Sequence, residues 1–232
     1  MLLTPPAPGS LPDGRLRSEV VVALLPRAGA AAGDHLMLRT LLARLTGIDR
    51  AAITLSQLCP ACGLAGHGPL AVELGAGGAA ADARLGGVHV SLSRADGVLA
   101  LAVTAAGPVG IDLESVAALA RWPVEPVLCS PAESAALAEL PPGAADPARA
   151  VLWTSKEAVL KAAGVGFRVD PRDLTVDPDR PHLAAWPGAP IPLQRVQLLT
   201  VPAPAGLVAT VAVLCGSRPG LRLAAVSSAE LS

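Results

Sequence analysis

The segment WTSKEAVLKAAGVGF, residues 153–167, decides the fold because it forms the second half of a long helical pattern that carries the most distinctive side chains. The pattern starts upstream, where Asp146 is the predicted N-cap and Pro147 the first helical residue. Gly164 is the predicted C-terminal stop. Spaced four residues apart, Trp153, Glu157 and Lys161 lie on one face of this helix.

The lysines of this segment stand out against the rest of the chain. Lys156 and Lys161 are the only lysines, and arginine supplies every other basic side chain. As an exposed ion pair, Glu157 and Lys161 would contribute only about 0.3–0.5 kcal/mol, and arginine would serve equally well. A lysine ammonium, in contrast, binds one phosphate oxygen closely as a compact charge. The pattern therefore favours a phosphate-handling helix face.

A second acidic stretch, VGIDLESV (residues 109–116), has the pattern of a strand. Asp112 and Glu114 are two residues apart and point to the same face, while Ile111 and Leu113 point to the core. Such a pair is either a solvated strand face or part of a magnesium site. Glu157 could supply a third carboxylate to that site.

Composition limits the class of protein. The chain has 232 residues, 52% of them hydrophobic and 16% charged, and a net charge of -1. It is long enough for one large or two small cores, and its charge gives no reason to expect nucleic acid or an anionic membrane as partner. Four cysteines do not suggest a disulfide framework. Prolines near the N-terminus and the lack of a long apolar run predict a soluble cytoplasmic protein.

The order of strand and helix patterns predicts an α+β fold. We expect two similar lobes, each a small, mainly antiparallel sheet packed with helix, with the active site at the lobe interface. Within the first lobe, Asp34 and Gly47 are expected to cap a helix. The predicted divisions are a flexible arm at 1–18, an N-terminal lobe at 19–108, a C-terminal lobe at 109–218 and a tail at 219–232.

GIDLE, followed about forty residues later by WTSKEAVLKAAGVGF, resembles the two signature motifs of the 4′-phosphopantetheinyl transferase superfamily. The intervening CSPAESAAL is also similar to the family's segment at this place, and its Ser130, Pro131 and Glu133 predict a helix start with a capping box. The chain length matches the monomeric, two-lobed branch that serves secondary metabolism.

The resemblance implies transfer of the phosphopantetheine arm of coenzyme A to a serine of an apo acyl or peptidyl carrier protein, with release of adenosine 3′,5′-bisphosphate. By family analogy, Asp112, Glu114 and Glu157 hold magnesium, for which manganese could substitute. Glu157 is the implied general base. Lys156 and Lys161 would neutralise the phosphates, and Lys161 would assist the leaving group. Trp153 is expected to pack between the lobes.

The resemblance also implies coenzyme A contacts from two segments ahead of the signatures. These contacts would come from His67, Gly68, Pro69, Ser91 and Ser93. Both segments depart from the family pattern: no basic residue separates Gly68 from Pro69, and Leu92 stands where the family has a histidine for the 3′-phosphate. Arg94 and Arg84 are candidates to compensate for these losses.

The same departures support a second hypothesis, a family-like protein that binds carrier domains but has weakened coenzyme A binding and transfers nothing. A third possibility is structural zinc at Cys59, Cys62 and His67. It would need a further ligand from elsewhere in the chain, and it leaves the two lysines unexplained.

Overall fold

The computed structural model describes residues 14–27, 31–59, 62–75, 87–177 and 180–225. Residues 1–13 of the predicted arm and Arg84 lie outside these ranges. Residues 14–17, predicted as part of the arm, form a 3-10 helix instead. Leu16 of this helix is buried in the hydrophobic cluster of the N-terminal half of the chain. Residues 14–17 are therefore part of the packed structure and not of a flexible arm.

The first sheet has four strands in the order β11-β1-β5-β4, where β11 is the segment Gly220–Leu223. Its central strands are β1 (Glu19–Pro26) and β5 (Val98–Thr104), and β4 (His89–Ala95) forms an edge. A hairpin of β2 (Ile53–Leu58) and β3 (Ala65–Leu74) lies beside it. Strands β4 and β5 pair antiparallel through a tight turn at Asp96 and Gly97.

Helix α1 (Ala31–Thr46) covers this sheet and buries Leu38, Leu41 and Leu42 against it. The helix stops before Gly47, as predicted, and Gly47 has a φ of 73°. Asp34 is not the N-cap, because the helix begins three residues earlier. Its carboxylate accepts hydrogen bonds from two arginines instead.

The second sheet has three antiparallel strands in the order β6-β10-β9. Among the described residues, four α-helices and one short hairpin of β7 and β8 surround it. The sheet and the elements around it are, in chain order, β6 (Val109–Ser115), α2 (Val116–Leu119), α3 (Glu125–Leu128), α4 (Pro131–Ala138), α5 (Ala145–Ala162), β7 (Thr175–Asp177), β8 (His182–Ala185), β9 (Val196–Val201) and β10 (Leu207–Leu214). Helix α5 packs across β6 and β10, where the Thr154 and Thr210 hydroxyls are 2.9 Å apart.

The helix-start predictions for this half have mixed outcomes. In α4, the capping box of Ser130 and Glu133 and the position of Pro131 are confirmed. In α5, Asp146 is not the N-cap, because Ala144 precedes the helix in a helical conformation and offers no side-chain cap. Asp146 lies in the first turn and forms an ion pair with Arg149.

The C-terminal prediction needs one correction. Residues 220–223, expected in a tail, form β11 (Gly220–Leu223), which pairs parallel to β1. The strand has only four residues, its two end residues are exposed and its two middle ones half-buried, so no two-residue alternation marked it in the sequence. Its backbone supplies β1 with a second hydrogen-bonded neighbour.

The predicted fold class is confirmed: the protein is α+β, with small and mainly antiparallel sheets. Apolar side chains of both sheets share one buried cluster, in which Val22 and Ala102 of the first sheet join Ile111 and Val211 of the second. In the described part of the chain, none of the helices has the length and apolar character needed to cross a membrane.

Candidate active site

Helix α5 lies unusually close to strand β6, and Gly110 makes this possible. A Cβ added at Gly110 would lie 2.0 Å from the carbonyl oxygen of Ala158 and 2.7 Å from the amide nitrogen of Ala162. Real Cβ atoms do not approach so closely, so only glycine fits between strand and helix. This contact brings the acidic end of β6 beside Glu157 and Lys161.

Strand β4 of the first sheet reaches β6 through serine side chains. The Ser91 hydroxyl accepts a hydrogen bond from the Ile111 amide at 3.0 Å, and the Ser93 hydroxyl donates to Asp112 Oδ1 at 2.8 Å. These bonds satisfy polar groups at the facing edges of the two sheets, where a backbone ladder is missing. Ser91 and Ser93, predicted to contact coenzyme A, thus also join the two halves.

Asp112 is the most buried member of the acidic cluster. Its Oδ1 accepts a hydrogen bond from the Lys161 ammonium at 2.6 Å, and Lys161 also donates to the Ile111 carbonyl at 3.2 Å. Its Oδ2 is buried and without a hydrogen-bond partner. Burial raises the pKa of Asp112, while the charge of Lys161 and the Ser93 hydroxyl oppose that rise.

The two glutamates of the cluster are also perturbed. Burial, followed by repulsion from Asp112, raises the pKa of Glu114 to about 7, and Lys161 opposes the rise. Burial raises the pKa of Glu157 to about 6, with Lys161 again opposing and Asp112 adding to it. Three carboxylates near one ammonium leave an excess of negative charge that is poorly compensated.

A cavity of about 910 Å³ opens over this cluster, between the two sheets and the C-terminal end of α5. Its volume lies in the upper part of the range for small-molecule sites. Most of the predicted site residues line its wall: Gly68, Pro69, Ser91, Ser93, Asp112, Glu114, Glu157 and Lys161. The structure thus brings together residues that are up to 93 positions apart, from 68 to 161.

Lys156 is the exception among the predicted site residues whose side chains the structure describes. Its side chain is 1% exposed and lies inside the second half, not in the cavity wall. The ammonium donates to the Leu128 carbonyl at 2.6 Å and to Glu133 Oε2 at 2.5 Å. Burial lowers the pKa of Lys156, and Glu133 opposes that shift. In this position Lys156 joins α5 to α3 and α4. The structure therefore gives Lys156 this internal contact and not the expected contact with phosphate.

The loop predicted to bind coenzyme A also forms part of the wall. Gly68 has a φ of 101°, and a Cβ there would lie 2.8 Å from the Leu58 carbonyl oxygen, so glycine is required. Its own carbonyl accepts a hydrogen bond from Gln57 at 3.1 Å. The side chain of His67 lies outside the described part of the molecule.

The acidic cluster of Asp112, Glu114 and Glu157 is the predicted magnesium site. Among the described residues, no three His, Cys, Asp or Glu side chains are arranged as a metal site, and this holds for Asp112, Glu114 and Glu157. The predicted zinc set includes His67, whose side chain lies outside the described residues. The chemistry of the acidic cluster nevertheless fits a hard cation. Asp112 offers an unpartnered, buried oxygen, and magnesium usually takes one or two carboxylates together with substrate phosphates.

Two arginines lie in the cavity wall, and one of them, Arg94, is the residue named as a candidate to compensate for the lost coenzyme A contacts. Arg94 follows Ser93 on β4, and Arg168 lies beyond the end of α5. Arg168 donates to the carbonyls of Val165 and Gly164, which close that helix. The sequence contains one usable signal, since Arg94 is two residues from Leu92 and therefore shares its strand face.

A family model describing the 4′-phosphopantetheinyl transferase superfamily matches residues 108–192. This region contains both signature motifs, on β6 and α5, and the helices between them. No curated protein matches the chain. Residues 108–192 are thus similar to the defining domain of this superfamily, which points to a transferase.

Proposed function

We propose that this protein transfers the 4′-phosphopantetheine arm of coenzyme A to a serine of an apo carrier protein. The observation that supports this most strongly is the clustering of Asp112, Glu114, Glu157 and Lys161 in one large cavity, within the region that the family model matches. The other product would be adenosine 3′,5′-bisphosphate. Acyl and peptidyl carrier domains are the proposed partners.

We further propose magnesium, or manganese in its place, as the cofactor of this site. Asp112, Glu114 and Glu157 would hold the ion, because oxygen ligands suit hard cations and Asp112 Oδ2 lacks any other partner. When bound, such an ion neutralises phosphate charge and polarises the pyrophosphate. Burial raises the pKa values of the two glutamates most, and such an ion would relieve the repulsion from Asp112 that adds to this rise.

Glu157 is the proposed general base. With a pKa of about 6, it is mostly ionised at neutral pH and can accept the proton of a serine hydroxyl. The serine oxygen then bonds to the phosphorus that carries pantetheine, and the bond from that phosphorus to the bridging oxygen breaks. The leaving adenosine 3′,5′-bisphosphate keeps the electron pair of the broken bond.

Lys161 is the proposed partner of the leaving group. Its side chain is 31% exposed and lies at the cavity wall, one helical turn beyond Glu157. A cation there would compensate the negative charge that develops on the leaving phosphate, which is the main electrostatic demand of phosphoryl transfer. To do so, Lys161 would exchange its contact with Asp112 for one with phosphate.

Several finer assignments belong to the same proposal. They are a division into lobes at 19–108 and 109–218, a monomeric state, a cytoplasmic location and a role in secondary metabolism. Burial of apolar side chains from both sheets in one cluster supports a fixed arrangement of the two lobes.

The test is a mass measurement on an apo carrier domain incubated with the protein, magnesium and coenzyme A. We expect a gain of one phosphopantetheine per carrier. Glu157→Gln should abolish the gain and leave the fold intact, whereas Glu139→Gln, at an exposed helix end, should have no effect. If several carriers gain no mass and calorimetry detects no coenzyme A binding, the proposal is wrong.

A non-catalytic, carrier-binding protein is the second candidate, and one observation favours it. Leu92 presents an apolar side chain to the cavity where the resemblance implies a phosphate contact. Such a protein would bind apo carrier domains in a pull-down experiment, yet neither bind coenzyme A nor transfer its arm.

A further inference from the structure

Asp34 is a buried carboxylate held between two arginines. It is 2% exposed, and it accepts hydrogen bonds from Arg27 Nε at 3.1 Å and from Arg94 Nε at 2.5 Å. A single arginine would already neutralise the carboxylate, so the trio has a net charge of +1. Burying an ionic group of this kind costs desolvation free energy, so we expect its role to lie in function and not in stability.

Only one arginine of the trio lies in the cavity wall. Arg94 lines the cavity and is 36% exposed, whereas Arg27 is not part of the wall. The contact from Nε to Asp34 fixes the orientation of the Arg94 guanidinium. The two terminal nitrogens form the fork with which arginine binds two oxygens of one phosphate.

The position of Arg94 separates it from the carboxylate cluster. Ser93 directs its hydroxyl to Asp112, and neighbouring side chains on a strand point to opposite faces. Arg94 therefore faces a part of the cavity wall away from Asp112, on the same strand face as the apolar Leu92. A phosphate at Arg94 would thus be distinct from a pyrophosphate at Asp112 and Lys161.

We propose that Arg94, oriented by Asp34, binds a phosphate monoester at this second position and makes the cavity selective for ligands that carry one. The inference rests on the proposed function, under which the monoester is the 3′-phosphate of coenzyme A. Arg94 then supplies the charge that Leu92 cannot. Asp34 is a positioning residue that acts through Arg94.

Calorimetry on the full-length chain tests this with adenosine 3′,5′-bisphosphate, adenosine 5′-monophosphate and inorganic phosphate as separate ligands. We expect the wild type to bind the bisphosphate at least about tenfold more tightly than the monophosphate, as one charge-assisted bidentate contact allows. Arg94→Ala should reduce this preference to less than about threefold. Arg94→Lys, which keeps the charge but not the fork, should give an intermediate value.

Arg27→Ala is the matched control, because it removes the other partner of Asp34 without touching the cavity wall. It should keep the tenfold preference. Circular dichroism and the urea midpoint of each variant establish that it is folded before binding is measured.

The outcomes separate this inference from the proposed function. A preference that persists in folded Arg94→Ala overturns the inference and leaves the transferase proposal intact. Wild-type protein that binds inorganic phosphate as tightly as the bisphosphate overturns the assignment to a nucleotide. If the wild type binds neither coenzyme A nor either nucleotide, the proposed function fails and the inference fails with it.

Discussion

Replacing Gly110 by alanine should separate strand β6 from helix α5. The added Cβ would lie 2.0 Å from Ala158 O, 2.7 Å from Ala162 N and 2.9 Å from Lys161 Cβ. Two of these neighbours are backbone atoms of α5, so no side-chain rotation relieves the clash. The helix must move by about 1 Å or more to restore ordinary contact distances.

We expect Gly110→Ala to destabilise the protein by about 3 kcal/mol, at the upper end of the usual cost of overpacking a core. For a chain of this size, that corresponds to a fall in Tm of roughly 6–12 °C. Because Lys161 moves with the helix, its 2.6 Å contact with Asp112 should also be lost. Urea denaturation gives the free energy of unfolding, and single-turnover transfer gives the effect on the site.

Gly33→Ala is the matched control. Gly33 lies in α1, has no neighbour within 4 Å of the added Cβ and does not need a left-handed backbone. Alanine there should stabilise the protein by about 0.5–1 kcal/mol, through helix propensity and a less flexible unfolded chain. A Gly110→Ala variant within about 0.5 kcal/mol of the wild type would refute the close approach of β6 and α5.

Three further predictions concern the charged groups. Lys156→Met leaves Glu133 buried without its cation, so we expect urea denaturation to show a loss of about 3–5 kcal/mol in the free energy of unfolding. The folded variant should keep the coenzyme A affinity of the wild type. Weaker affinity without any loss of stability would instead support the original prediction that Lys156 contacts phosphate. Without metal, wild-type stability should fall as the pH rises from about 4.5 to 7, because Glu114 has a pKa of about 7 in the folded state and the native protein binds more protons there. Glu114→Gln should remove this pH dependence of stability. In EDTA, we expect the variant to be about 2 kcal/mol more stable than the wild type at pH 8 and no more stable at pH 4.5. An equal gain in stability at both pH values would contradict the assignment to Glu114. In the Arg94→Ala background, Leu92→His should tighten binding of adenosine 3′,5′-bisphosphate in calorimetry, since an imidazolium replaces the lost cation on the same strand face; an unchanged Kd would place the phosphate elsewhere.

The sequence predicted the central contact of the site because each half of it has a strong local pattern. The alternation in residues 109–116 identified a strand, and the four-residue spacing from Trp153 to Lys161 identified the helix face. The motif resemblance then implied that the strand and the helix meet. The same spacing contained a warning about Lys156, since adjacent helical residues point about 100° apart.

Lys156 illustrates why composition alone could not assign a role. A chain that otherwise uses arginine keeps lysine where a compact ammonium is needed, and a buried contact with Glu133 needs one as much as a phosphate does. The capping box correctly placed Glu133 at the start of α4 but did not reveal that its Oε1 also accepts from the Val176 amide. These partners are 23 and 43 residues away, beyond the reach of local patterns.

The site combines rigid packing with unfavourable electrostatics, and the two properties depend on each other. Carboxylates that repel one another would move apart unless their backbones were held, and Gly110 and the Ser91 and Ser93 hydrogen bonds hold β6 between α5 and β4. The held charge lowers the stability of the free protein. A ligand that pairs with it binds the native state only and raises stability by RT ln(1 + [L]/Kd). A rigid frame thus converts repulsion within the free site into selectivity for cationic ligands, and a phosphate would bind beside these carboxylates only together with a cation.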